Sequence, residues 1–174
     1  RGALLEVLTP SPARVPPACP HVAACGGCDW MHLSLDAQRE AHAAMVIGVL
    51  PPGVSVVSHP PPRALGYRTR ARVHLQGRGS AVVVGMHGRR SREPVPVDAC
   101  VVLDDAIERA RRALGGWLAG ARGRGEAKLS LAAPGAERRA VMDLSWRGDL
   151  PGVVFGRLEQ AVGGGALAGA RVFA

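Results

Sequence analysis

Aromatic side chains are scarce in this sequence of 174 residues: three Trp, two Phe and one Tyr make up 3% of it. A core built on ring stacking is excluded, and Ala, Val, Leu and Gly must do most of the filling. Lysine is all but missing, with Lys128 standing alone, so the formal charge of +8 is arginine charge. Arginine's planar fork grips two phosphate oxygens at once and stays ionised, which suits a polyanionic partner. A codon bias toward arginine is the bland alternative, and it is weakest for the cluster between Arg63 and Arg92. No run approaches the roughly 20 apolar residues of a membrane span, and no charged-then-apolar leader is present. The expectation is a cytoplasmic protein without membrane contact. Cysteine is sparse too, four in all. In a reducing compartment these are poor candidates for disulfides and better ones for metal or cluster ligation.

Three of the thiols share one stretch, Cys19-Pro-His-Val-Ala-Ala-Cys25-Gly-Gly-Cys28, and the fourth is the distant Cys100. A soft metal or an iron–sulfur cluster needs thiolates converging on a small volume, and a short loop delivers them in that way. Gly26 and Gly27 lack Cβ atoms, so the backbone can approach an inorganic core closely. Zinc is the main rival, although structural zinc sites usually pair two close knuckles rather than a three-ligand loop and one remote residue. Cys25 and Cys28 alone could be a thioredoxin-like dithiol, but the strand-then-helix setting of that motif is missing. His21, His32 and His59 are further ligand candidates. With four thiols completing a set, surface roles suit them better.

Along the chain, Ala3 to Leu8 reads as a strand that ends in the prolines of Thr9-Pro-Ser-Pro12 and Pro16-Pro17, an interdomain linker. Ser34 is placed to cap a helix from about Leu35 to Leu50, which Pro51-Pro52-Gly53 stops. Val54 to Ser58 reads as a short strand. From Gly66 to Gln76, alternation predicts a strand with Arg68, Arg70, Arg72 and His74 on one face and Ala71, Val73 and Leu75 on the other. A turn at Gly77-Arg-Gly-Ser80 leads into Ala81 to Met86, giving a hairpin. The loop His87-Gly-Arg-Arg-Ser-Arg92 follows, and Pro94 and Pro96 keep the next segment at a sheet edge or outside the sheet. Asp104 or Asp105 caps a helix running to about Ala121, with Ile107, Ala110, Leu114, Trp117 and Leu118 at helical spacing. Leu129 to Ala133 and Ala140 to Trp146 read as a second hairpin around Pro134-Gly135. The tail holds a short helix from Val154 to Val162, a flexible Gly163-Gly-Gly165 and an apolar scrap from Ala170 to Ala174. The expected class is α+β, an antiparallel sheet of hairpins with two or three helices around an iron–sulfur centre.

Several runs together resemble one family: Ser11-Pro-Ala-Arg-Val15, Cys19, Cys25-Gly-Gly-Cys28, Gln38, Gly66-Tyr-Arg-Thr-Arg70, Gly85-Met86 with Ser91, and Val97-Asp-Ala-Cys100. They are similar to the S-adenosylmethionine-dependent RNA (uracil-5-)-methyltransferases, in the branch that modifies 23S ribosomal RNA and carries a [4Fe–4S] cluster. The C-x5-C-x2-C spacing is the specific part. The resemblance extends over about Ala3 to Leu103. It implies that Cys19, Cys25, Cys28 and Cys100 ligate the cluster and that Arg68 and Arg70 face RNA. It also implies that residues 1–15 end a small RNA-binding barrel, called TRAM, and its linker. Residues 16–150 would form the cluster-bearing central domain, and 151–174 would lead toward a methyltransferase domain. The family's catalytic cysteine, carboxylate base and Gly-rich cofactor turn have no counterpart here, so S-adenosylmethionine would bind only outside this chain. Met86 replaces an aromatic residue common in the family after the glycine that matches Gly85.

The functional expectation is a monomeric central domain that holds ribosomal RNA through Arg68, Arg70, Arg72, Arg89, Arg90 and Arg92, contacts that position the substrate without reading bases. His74, Tyr67 or Trp30 could stack on splayed bases, although Trp30 fits a core role better. A stand-alone RNA-binding module stabilised by zinc or a cluster is the second reading. A ferredoxin-like electron carrier is the third, and the positive charge argues against it.

Overall fold

A computed structural model describes residues 4–91, 93–132 and 138–174. Nine elements follow one another: α1 (Leu35–Ile47), β1 (Arg70–Arg78), β2 (Val82–His87), β3 (Pro94–Pro96), α2 (Asp105–Trp117), β4 (Arg122–Leu131), β5 (Ala140–Asp149), α3 (Gly152–Gly163) and β6 (Leu167–Phe173). The strands form one sheet in the order β3-β2-β1-β4-β5-β6. The α+β expectation holds, but the sheet is mixed rather than purely antiparallel. The exception is β5 with β6, which run parallel with Met142 opposite Ala170 and Leu144 opposite Val172. The cause is α3: a strand that returns parallel to its predecessor needs a crossover, and this helix supplies it.

Alternation builds the core. Along β1, Val73 and Leu75 are buried while Arg70, Arg72 and Arg78 are exposed. Along β5, Ala140, Met142, Leu144 and Trp146 point the same way as these buried residues. Ile107, Ala110, Leu114 and Leu118 of the α2 region cover that face, joined by Val154, Leu158 and Ala161 of α3. Thus both α2 and α3 lie on one side of the sheet, and residues 151–173 belong to the same core as the rest. Asp104 caps α2, accepting a hydrogen bond from the Ala106 N–H at 3.0 Å and another from Arg138 at 2.6 Å. The two prolines put β3 at the edge, as expected.

Other expectations are corrected. Val54 to Ser58 forms no strand, because among the described residues nothing pairs with it and Val54 and Val57 stay exposed. Residues 4–8 likewise make no strand pairing, and Ala3 lies outside the described residues. β4 begins at Arg122, well before the predicted Leu129. There Gly123 and Gly148 face each other at positive φ, and a Cβ on Gly123 would come 2.1 Å from the Arg147 carbonyl oxygen. Only glycine permits the two strand ends to approach so closely. The predicted turn at Pro134-Gly135 lies outside the described residues. Among the described residues no helix is long and apolar enough to cross a membrane.

Candidate functional site

Cys19, Cys25 and Cys28 sit in a loop of tight turns, in which the Cys25 N–H donates to the His21 carbonyl at 2.8 Å. The loop is sewn to the exit of β2: the Gly26 N–H donates to the His87 carbonyl at 2.9 Å, and the Arg89 N–H donates to the Ala24 carbonyl at 3.0 Å. A Cβ on Gly26 would stand 3.1 Å from the carbonyl oxygens of His87 and Gly88, so glycine is what lets the two backbones meet. Arg89 adds a side-chain tie, an exposed ion pair with Asp29 at 3.3 Å.

Cys100 arrives on the turn before α2. Its N–H donates to Glu108 Oε1 at 3.3 Å, and Glu108 is held by the buried Arg111 at 2.7 Å. Arg111 and Arg112 both donate to the Asp98 carbonyl. Glu108 and Arg111, three residues apart on one helical face, thus fix the turn that presents Cys100. They were missed from sequence, since a Glu–Arg pair at that spacing reads as an ordinary surface pair. A buried pair of this kind is costly to break, because one removed partner leaves an uncompensated charge.

All four thiols line one small cavity, walled otherwise by Val22, Met31, Met86, Val97, Val101, Val102 and Arg68. Its chemistry suits a soft inorganic group. The Gly27 N–H approaches Cys25 Sγ at 3.4 Å, and the backbone N–H groups of Val102 and Leu103 favour the Cys100 thiolate. Burial pushes the Cys28 thiol up, Arg68 pulls it back, and the other three thiols push it further up. Burial also raises Cys100. The donors surround the cavity without gathering on one point: among the described residues no three His, Cys, Asp or Glu side chains form a group able to hold a metal ion.

The arginines divide into two sets. Arg70 and Arg72 lie on the sheet face away from the helices. Arg68, expected on that face, precedes the strand and bridges instead to Leu103. Its side chain lines the thiol cavity and donates to the Gly27 carbonyl at 3.4 Å. Arg89 and Arg90 are exposed beside the cysteine loop, and Arg92 lies outside the described residues. His74 stacks on His87 with ring centroids 3.3 Å apart. Trp30, half-buried, stacks on His42 at 4.6 Å, while Tyr67 is exposed.

This mixed-sheet domain is shared with an enzyme of RNA uracil modification. The tRNA (uracil-54, C5)-methyltransferase of Pyrococcus abyssi, solved with S-adenosyl-L-homocysteine, superposes with a TM-score of 0.55 over 86% of this chain and 36% of its own, at 21% identity. In sequence, the chain matches proteins named 23S rRNA (uracil(1939)-C(5))-methyltransferase RlmD. The one from Shewanella sp. (strain ANA-3) is 36% identical over 59% of this chain and 24% of its own length. The Halomonas elongata protein is 38% identical over 63% and 24%, and that of Edwardsiella ictaluri 34% over 71% and 30%. No family model matches the chain. Over the matched segment the chain is similar to the 23S rRNA (uracil-C5)-methyltransferases, and it spans about a quarter of the length of these relatives.

Proposed function

We propose that this chain is the cluster-bearing, RNA-holding central region of a 23S rRNA (uracil-C5)-methyltransferase, with Cys19, Cys25, Cys28 and Cys100 as ligands of a [4Fe–4S] cluster. The observation that carries this reading is the convergence of four thiols from two distant segments on one cavity whose remaining wall is apolar but for Arg68. Backbone N–H groups aimed at the sulfurs add to it. A cubane cluster takes one thiolate per iron, so its ligands stand farther apart than those of a single zinc ion. Once bound, the cluster would act as a staple between the N-terminal loop and the start of α2. Arg68, in the cavity wall, offsets part of the thiolate charge.

Residues 1–15 would then end a TRAM barrel and its linker, 16–150 form the central domain, and 151–174, packed on the same core, lead from it toward the catalytic domain. The parent enzyme, in the cytoplasm, would transfer a methyl group from S-adenosylmethionine to C5 of a uridine in 23S rRNA. The cofactor and the catalytic cysteine would belong to that other domain. The part of this chain is to hold ribosomal RNA through Arg70 and Arg72 on the sheet and Arg89 and Arg90 beside the cysteine loop.

Anaerobic purification followed by absorption near ~400 nm and by iron and sulfide analysis tests the centre. About four irons and four sulfides per chain are expected, falling sharply in Cys28→Ser and Cys100→Ser. A colourless protein carrying one zinc would replace the cluster reading with the zinc-stabilised module.

A further inference from the structure

The sheet face opposite α2 and α3 carries a trough of about 820 Å³, at the upper end of what binding sites enclose. Strand register arranges its side chains in rows. His74, Glu126 and Ser145 form one, and Gln76, Arg124 and Arg147 the next. Arg72 opposite Lys128 and Arg78 opposite Arg122 flank these rows. Successive rows lie two strand residues apart, about 6.7 Å. The floor of hydrogen-bonding groups is thereby flanked on one side by Arg72, Lys128 and Asp143, the last paired with Arg171, and on the other by Arg78, Arg122 and Asp149, with Glu93 in the wall. Arg124 and Arg147 are exposed and, among the described residues, form no ion pair.

We infer that this trough is the seat of a single-stranded stretch of RNA, its phosphates on Arg124, Arg147, the flanking arginines and Lys128 and its base edges against His74, Gln76, Glu126 and Ser145. The inference rests on the RNA-holding reading above and adds to it the face and the form of RNA. Charge placement separates phosphates from bases. The Glu126 carboxylate, held by Arg72 at 3.3 Å, disfavours a phosphate on the floor and leaves its other oxygen to accept hydrogen bonds from base amino groups. A duplex keeps its base edges paired and could not offer them to a recessed floor, whereas an unpaired stretch can. The stacked pair of His74 and His87 adds a flat aromatic surface at one end of the trough. Burial, with help from His87 and Arg72, holds His74 below the usual histidine range against the pull of Glu126. Near neutral pH the ring therefore offers one donor and one acceptor.

The test compares the 174-residue chain with its Arg124→Gln/Arg147→Gln and Arg89→Gln/Arg90→Gln double variants. Each is titrated against a labelled unpaired RNA oligomer and against the same sequence as a duplex, at several salt concentrations. The wild type should prefer the unpaired form. Arg124→Gln/Arg147→Gln should weaken its binding at least tenfold and flatten the salt slope by about 1.4, two phosphates at roughly 0.7 each for a single strand. In wild type, 4-thiouridine in the oligomer should crosslink to residues 70–78, 122–131 or 140–149, a readout that does not depend on any variant folding. Equal affinity for the duplex would overturn the single-strand assignment. RNA binding that is lost in Arg89→Gln/Arg90→Gln but intact in Arg124→Gln/Arg147→Gln, with crosslinks only to the cysteine loop, would overturn the trough while leaving the RNA-holding reading in place. No binding of either RNA form by the wild type would overturn both.

Discussion

His74 shows how single positions acquire properties that spacing does not reveal. Alternation marks it for the basic strand face, yet its contact with His87 follows from the register of β1 against β2 and was not legible. Its protonation is linked to stability with a definite sign. Held below the usual range, His74 binds its proton more weakly in the fold than in the unfolded chain. As pH falls through about 6.5, the unfolded chain takes up a proton that the folded one refuses, so the contribution present above that pH is lost below it. Thermal melts at about pH 7.5 and 5.5 should show a smaller acid-side loss in His74→Gln than in wild type, and an identical loss would remove His74 from the account. Arg68 makes the complementary point. Counting by twos put it on the sheet, but the regular strand begins only at Arg70, and the segment before it, bridged to Leu103, turns the guanidinium to the thiols. The gathering of the four cysteines about one cavity was legible because their spacing needs no register. Glu108, which holds the Cys100 turn, was not, because its role exists only once α2 docks.

Helices whose signals are local were read well. Ser34 caps α1 by accepting from the Ala37 N–H at 3.3 Å, and α1 ends at Ile47 with Gly48 as its cap. This helix buries no residue, and Met45, Val46 and Ile47 are exposed, so local capping supplies an unusual share of its order. Ser34→Ala should cost about 1 kcal/mol of local helix stability. Hydrogen exchange would rise several-fold across residues 37–47 while the global melt stays put. A shift of the whole melt would mean that α1 is tied to the core after all. Strands were read less well. Val54 to Ser58 has strand composition and no partner. Arg122-Gly-Arg-Gly125 has strand pairing, but its arginines and glycines give no apolar alternation to detect. Propensity describes one segment, whereas a strand is a relation between two.

At the scale of the whole molecule, one core joins β1 to α3 and β6. The fold class was legible from hairpin spacing and helix periodicity. The parallel pair was not, since it depends on α3 docking across the sheet. A single core predicts one unfolding transition shared by both ends of the sheet. Leu158→Ala in α3 should cost about 2–5 kcal/mol, and Val73→Ala in β1 somewhat less. Each should move fluorescence and circular dichroism midpoints together in urea. Separate transitions would show that residues 151–173 fold as an independent unit.

The remote position of Cys100 also bears on how the protein is made. Three thiols are synthesised early, on a loop whose resting place at the β2 exit and whose fourth companion at α2 come much later in the chain. During translation the N-terminal loop has neither, so a site that needs all four thiols is incomplete throughout that interval. Any group held by all four would gain its last ligand only after α2 has brought Cys100 into place.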